Sequence, residues 1–155
     1  MHYPFFEIGD LDPAEENKIL NEIGVALVEA APENWERIVY IRRMVIEKGT
    51  ETLTVEFPDG TSERIFSPAK ILPLLSRLRM GMYLEGKGTW FSMEYVITRP
   101  NRYNVHFNYD QDPEITFPTP QGFTQDLKYF PRDEQYIPDW LREKLRKEAE
   151  GRFDE

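Results

Sequence analysis

The sequence contains no cysteine, which excludes a disulfide framework, a thiolate metal site and a cysteine nucleophile. It contains only two histidines, His2 and His106, so a metal centre with several imidazole ligands is not expected. No apolar run approaches the roughly 20 residues that a membrane-spanning helix needs. The first residues also lack the basic start and apolar stretch of a secretory signal. These absences favour a cytoplasmic protein.

Catalytic motifs are missing as well. None of the serines lies in the G-x-S-x-G turn of serine hydrolases, and the segment 86–88 lacks the spacing of a phosphate-binding loop. The acidic run that begins at Asp110 does not match a calcium-binding EF-hand loop, because its sixth and twelfth positions are Ile115 and Gln121. His106 alternates with apolar neighbours, which is typical of a surface or sheet-packing residue of a strand. We therefore predict no catalytic residue, no metal site and no cofactor.

Negative charge is abundant and unevenly distributed. The chain has 19 basic and 28 acidic residues, a net charge of −9. Residues 1–34 hold one lysine against eight acidic residues, whereas residues 35–100 hold ten basic against eight acidic residues. This balance argues against nucleic acid or an anionic membrane as the partner, since phosphate groups are bound by basic patches. It is compatible with a basic protein partner.

The length of 155 residues and the hydrophobic content of 40% predict one globular domain. Within it we expect a lead-in at residues 1–10, a core at residues 11–145 and a frayed tail at residues 146–155.

Caps, prolines and helical spacing predict four helices. They run from Asp12-Pro13 to Pro32, from Ser67-Pro68 towards Gly86, from Thr124 to Tyr129, and onward from Pro138. Asp12 and Glu15 have the spacing of a capping box, and Ser67 is predicted to cap the second helix. The predicted buried face of that second helix contains Ile71, Leu72, Leu74, Leu75, Leu78 and Met82.

Alternating apolar and polar residues predict about five strands. The strand segments are 35–46, 53–57, 62–66, 90–98 and 103–109. Turns are predicted at Pro58-Asp59-Gly60-Thr61 and at Arg99-Pro100-Asn101-Arg102. Short connections between these strands indicate an α+β fold, with an antiparallel sheet on which the N-terminal, middle and C-terminal helices pack.

Two acidic segments are the candidate partner-binding surfaces. The first lies around the start of the first helix and contains Asp10, Asp12, Glu15, Glu16 and Glu22. The second is the loop after the last strand and contains Tyr109, Asp110, Asp112 and Glu114. Loops often carry function, and a tyrosine among acidic residues suits a basic target. The later aromatic residues Tyr129, Phe130, Tyr136 and Trp140 are expected to anchor the last segment on the core.

Four motifs carry a resemblance to a known family. They are Ala31-Pro32-Glu33-Asn34-Trp35, Gly88-Thr89-Trp90-Phe91, the alternating segment 103–110 that ends in an acid, and Pro131-Arg132-Asp133-Glu134 with the following segment 137–141. On these motifs, which span most of the chain, the sequence resembles the YezG-like family of bacterial immunity proteins, in the form of its actinobacterial members. The resemblance implies a cytoplasmic antitoxin without catalytic residues. It would bind a cognate toxin domain, such as a nuclease, and occlude its active site.

Two other classes of function remain open from the residues alone. A small-ligand or peptide sensor would need a sizeable cleft between the sheet and the helices. An enzyme that uses a carboxylate or His106 would need strongly shifted pKa values in a cleft. The oligomeric state is also open between a monomer and a homodimer, because an edge strand can be covered by a helix or by a second copy.

Overall fold

The structure, a computed structural model, describes residues 8–115 and 120–151. The first seven residues of the predicted lead-in, the loop residues 116–119 and the tail residues 152–155 lie outside the described residues. The main elements are α1 (Pro13–Ala30), β1 (Arg37–Met44), β2 (Gly49–Glu56), β3 (Ser62–Ile65), α2 (Leu72–Gly81), β4 (Ser92–Thr98), β5 (Arg102–Asn108), α3 (Gly122–Tyr129) and α4 (Asp139–Ala149). Short 3-10 turns at Ala69–Ile71 and Glu134–Tyr136 precede α2 and α4.

The five strands form one antiparallel sheet in the order β3-β2-β1-β4-β5. The first three strands form the predicted meander, and β4 and β5 form the predicted hairpin. The α+β fold class and the five-stranded antiparallel sheet are therefore confirmed. β3 and β5 are the two edge strands.

One face of the sheet carries the main hydrophobic core. Ile38 and Tyr40 of β1 are fully buried there, together with Ile23 and Leu27 of α1 and Leu78 of α2. A second, smaller cluster joins α3 and α4 to the chain before β4, and its buried members are Val45, Phe91, Phe123 and Leu141. Trp140 packs against this second cluster and Phe130 is buried in a third, so both anchor the C-terminal segment as expected.

The start of α1 follows from its sequence. Asp12 occupies the N-cap position and its carboxylate accepts a hydrogen bond from the Glu15 amide at 2.8 Å, while Pro13 begins the helix. The Glu15 carboxylate lies 3.7 Å from Arg77, and the described cap consists of the Asp12 side chain alone. The turn after β2 also forms as predicted: Asp59 accepts two hydrogen bonds from Thr61, which lower the pKa of its carboxyl group.

The second helix differs from its prediction in two respects. It is preceded by a 3-10 turn that has Pro68 as its cap residue, and the Ser67 hydroxyl donates to Glu51 instead of capping. Leu72 is 42% exposed although it was expected in the core. Because α2 begins only at Leu72, its buried side contains Leu75, Leu78 and the guanidinium of Arg79.

The C-terminal boundary of the core was predicted too early. α4 extends to Ala149, and Glu148 is buried with hydrogen bonds to the start of α3. The core therefore includes residues that the sequence assigned to a frayed tail.

Candidate functional site

The first predicted acidic segment lies against the C-terminal end of α2. The Gly9 amide donates to the Met80 carbonyl at 2.9 Å, and the Leu11 amide donates to the Gly81 carbonyl at 3.2 Å. Between these anchors, Asp10 accepts a hydrogen bond from Arg77 at 2.9 Å. Residues 9–11 are therefore held in place along the end of this helix.

The second predicted segment is fixed at the same end of α2. The Tyr109 hydroxyl donates to the Met82 carbonyl at 3.1 Å. Burial, and then the neighbouring carboxylate of Glu16, raise the pKa of Tyr109. Leu11 and Tyr109 bind the neighbouring carbonyls of Gly81 and Met82, so the start of α1 and the loop after β5 meet at the end of α2.

We call this region the acidic surface; it consists of Asp10, Asp12, Glu15, Glu16, Tyr109 and Asp110. Asp112 and Glu114 follow in the same loop, where the Asp112 carboxylate accepts a hydrogen bond from the Glu114 amide at 2.9 Å. Glu22 is exposed on α1, six residues after Glu16. It therefore lies about 9 Å further along the helix axis and outside the surface.

A buried arginine that the sequence did not indicate supports this loop. The Arg132 guanidinium donates to the carbonyls of Tyr109 at 2.5 Å and Tyr136 at 2.9 Å, and to the Asp110 carboxylate at 3.2 Å. Gly88 permits this position, because a Cβ there would overlap the guanidinium. Trp140 also donates to the Asp110 carbonyl at 2.7 Å. The backbone that presents Tyr109 and Asp110 is therefore preorganised.

Two guanidinium groups partly offset the charge of the acidic surface. Arg77 lies 2.9 Å from Asp10 and 3.7 Å from Glu15, and Arg132 lies 3.2 Å from Asp110. The Asp110 side chain stays 76% exposed despite its pairing. Five carboxylates against two guanidinium groups leave the surface with a negative excess.

A cleft of about 380 Å³ lies elsewhere, between the second half of α1 and the β4–β5 hairpin. Its lining includes Val25, Trp35, Tyr95, Arg102 and Tyr103. The sequence patterns did not indicate these residues as a site. The available signals were a tryptophan at a helix-to-strand junction and a hairpin turn with an arginine at each end.

The other side of the sheet carries His106. It is exposed on β5 and pairs across the strands with Glu94, which is also exposed. This position agrees with the predicted surface location. In the described part of the chain, no group of three or more metal-binding side chains is arranged to hold an ion. Within residues 8–115 and 120–151, no helix combines the length and apolar character needed to span a membrane.

The sequence matches no protein-family model and no curated protein.

Proposed function

We propose that this protein is a non-enzymatic immunity protein that binds a basic toxin domain in the cytoplasm and occludes its active site. The observation that carries the proposal is the meeting of two acidic segments, distant in sequence, at the end of α2. The Leu11 amide and the Tyr109 hydroxyl join them there, because they donate to the carbonyls of Gly81 and Met82. The resemblance of four motifs to the YezG-like immunity family supports the same function.

The physical role of the acidic surface is to accelerate association. Immunity has to act on a small number of toxin molecules, so a fast encounter is needed. Complementary charge raises association rates, and the effect decreases with salt because the Debye length is about 8 Å at physiological ionic strength. Tyr109 and the preorganised loop behind it would supply contact area at low entropic cost.

Co-expression tests the proposal directly. The toxin domain encoded beside this gene is expressed with and without the protein, and survivors are counted. We expect rescue and a stable one-to-one complex. The absence of both rescue and complex would refute the immunity function.

A charge-neutralised variant tests the surface. Glu15→Gln, Glu16→Gln and Asp110→Asn together keep the side-chain shapes and remove three negative charges. We expect a slower association with the toxin domain and a weaker dependence of the rate on salt, because the steering field is reduced.

The matched control removes three exposed carboxylates elsewhere: Glu36→Gln, Glu47→Gln and Glu63→Gln. The net charge changes by the same amount, so a difference between the two variants reports position and not total charge. Equal association rates for the two variants would exclude the acidic surface as the docking region.

A further inference from the structure

The cleft between α1 and the β4–β5 hairpin is lined mainly by apolar side chains. Val25, Val28, Trp35, Ile97 and Tyr103 contribute to its walls. Val25 is 51% exposed and Tyr103 is 59% exposed, so two large apolar groups remain open to solvent here. Its volume of about 380 Å³ falls within the range of about 300–1,000 Å³ that is typical of small-molecule sites.

The aromatic part of the cleft is rigid. Tyr95 is buried and donates its hydroxyl to the Leu20 carbonyl of α1 at 2.8 Å. Gly24 allows this close approach, since a Cβ there would overlap the Tyr95 hydroxyl. The ring of Tyr103 stacks on Tyr95 with 5.8 Å between the centroids and 29° between the planes. The cleft therefore includes a preformed aromatic surface on which a planar group can pack.

Arg99 places positive charge beside the cleft. Its guanidinium lies 4.1 Å from the centroid of the Trp35 ring and donates to the carbonyls of Trp35 and Glu33, each at 2.6 Å. These bonds use Nε and Nη2, and Nη1 has no hydrogen-bond partner among the described residues. The group is thus held in one orientation while it keeps a free donor.

Arg102 borders the cleft, but its position opposite Thr98 places it on the face of the sheet that carries Glu94 and His106. It is exposed and forms no ion pair or side-chain hydrogen bond within the described part of the chain. The acidic side chain in the lining is Glu29, which lies 3.2 Å from Lys70 and is thereby partly neutralised. The cleft thus combines apolar walls with the guanidinium group of Arg99 and one carboxylate that is paired elsewhere.

We propose that this cleft binds a small organic acid that has a planar apolar body. The body would stack on Tyr103 and contact Val25, and the carboxylate would bind the free Nη1 of Arg99. Guanidinium groups favour carboxylates because the hydrogen bonds between them are charge-assisted. Val25 lies nine residues after Glu16, about 13 Å further along α1. The cleft is therefore separate from the acidic surface, and the inference is independent of the immunity function.

Titration with 3-phenylpropionate, observed through backbone amide shifts in NMR, tests the proposal. We expect saturable shifts at Gly24 and Ile97, and binding of 3-phenylpropionamide that is about 10- to 100-fold weaker, because a charge-assisted hydrogen bond is lost. Arg99→Gln should weaken binding of the acid by a similar factor and leave binding of the amide unchanged. Val25→Trp, which fills the cleft, should abolish binding of both compounds.

Arg64→Gln is the matched control, because Arg64 is an exposed and unpaired arginine on β3, at the opposite edge of the sheet. It should leave the affinity unchanged. Equal affinities for the acid and the amide, or an equal loss in the two arginine variants, would overturn the proposal. So would an absence of shifts at the cleft with 3-phenylpropionate, indole-3-acetate and hexanoate at millimolar concentration. A short peptide with a C-terminal phenylalanine is also titrated. If it binds at least tenfold more tightly than the free acids, the natural occupant of the cleft is a protein C-terminus and not a small molecule.

Discussion

The buried ion pair between Arg79 of α2 and Asp126 of α3 shows how two charged side chains join elements that are distant in sequence. Its two N–O distances are 2.7 and 2.9 Å, and Asp126 also accepts a hydrogen bond from the Ile46 amide at 2.7 Å. The third donor of the guanidinium, Nε, binds the Trp90 carbonyl at 2.7 Å. Every charge-bearing group of the pair is thus hydrogen-bonded, which is the condition under which a buried ion pair is tolerated.

Removal of one partner of the ion pair should therefore lower the free energy of unfolding much more than removal of both partners. We predict that Asp126→Ala lowers the free energy of unfolding by about 3–5 kcal/mol, because Arg79 keeps a buried charge without its counter-ion. The double variant Arg79→Met with Asp126→Leu should lose much less. Urea unfolding measures the free energy of unfolding of both variants. The control is Glu134→Ala, which removes an exposed ion pair with Arg142 and should lower the free energy of unfolding by less than about 1 kcal/mol. A double variant as unstable as Asp126→Ala would contradict this explanation.

The raised pKa of Tyr95 makes the stability of the fold depend on pH in the alkaline range. Burial, and then the neighbouring Tyr103, raise the pKa of Tyr95 to about 12. An unfolded tyrosine loses its proton near pH 10. Between these two values the unfolded state releases the proton and the folded state retains it, so stability is complete below about pH 10 and decreases as the pH rises towards 12.

We predict that Tyr95→Phe reduces the slope of stability against pH above pH 10. Its stability at neutral pH should fall by about 1 kcal/mol, because the bond to the Leu20 carbonyl is lost. Denaturant unfolding at several pH values between 8 and 11.5 measures both effects. Some slope should remain, since burial also raises the pKa of Tyr40 and Tyr109. An unchanged slope in Tyr95→Phe would assign the alkaline dependence to those other tyrosines.

At the scale of secondary-structure elements, the sequence patterns correctly predicted the features that depend on residues close together in the chain. The start of α1 is set by Asp12 and Pro13, and the β4–β5 hairpin by alternation on both sides of a turn. Features that depend on distant partners were missed. Ser67 donates to Glu51, sixteen residues earlier in the chain, and Arg79 is buried because Asp126 lies opposite, which the spacing of apolar residues does not reveal.

The end of α4 is a further case, because its Glu148 caps α3. The Glu148 carboxylate accepts hydrogen bonds from the Phe123 amide at 3.1 Å and the Thr124 amide at 2.8 Å. A carboxylate at this position satisfies amides that have no partner within the helix and interacts favourably with the helix dipole. Residues that were predicted to form a frayed tail thus cap another helix.

We predict that Glu148→Ala lowers the free energy of unfolding by about 1–3 kcal/mol, since two α3 amides lose their acceptor. Glu148→Gln should cost less, because one amide oxygen still accepts. Thermal and urea unfolding measure the difference. Glu150→Ala serves as the control, as Glu150 pairs with Arg146 at the surface. A loss in Glu148→Ala no larger than in Glu150→Ala would show that the cap does not stabilise the fold.

At the scale of the whole molecule, composition revealed the acidic segments but not their arrangement. Charge counting identified the start of α1 and the loop after β5, and the fold then places both at the end of α2 through Leu11 and Tyr109. The cleft could not be predicted in this way. Trp35 and Arg102 are 67 positions apart, and only the packing of α1 on the hairpin brings them together.

The two sides of the sheet also present different groups to a binding partner. The acidic surface lies at the start of α1, on the side of the helices, whereas His106 and Glu94 lie exposed on the opposite face. Because the chain has no cysteine, a single introduced cysteine can be labelled at one chosen position. Asn17→Cys and His106→Cys are a suitable pair, since both residues are exposed.

We predict that a polyethylene glycol maleimide attached at position 17 blocks complex formation with the toxin domain, whereas the same label at position 106 does not. The bulk of the polymer covers the acidic surface in the first variant and the opposite sheet face in the second. Co-purification and association rates of the labelled and unlabelled proteins measure the effect, and the unlabelled cysteine variants control for the substitution itself. If the label at position 106 blocks binding and the label at position 17 does not, the partner docks on the sheet face, and the acidic surface serves only to keep the protein charged and dispersed.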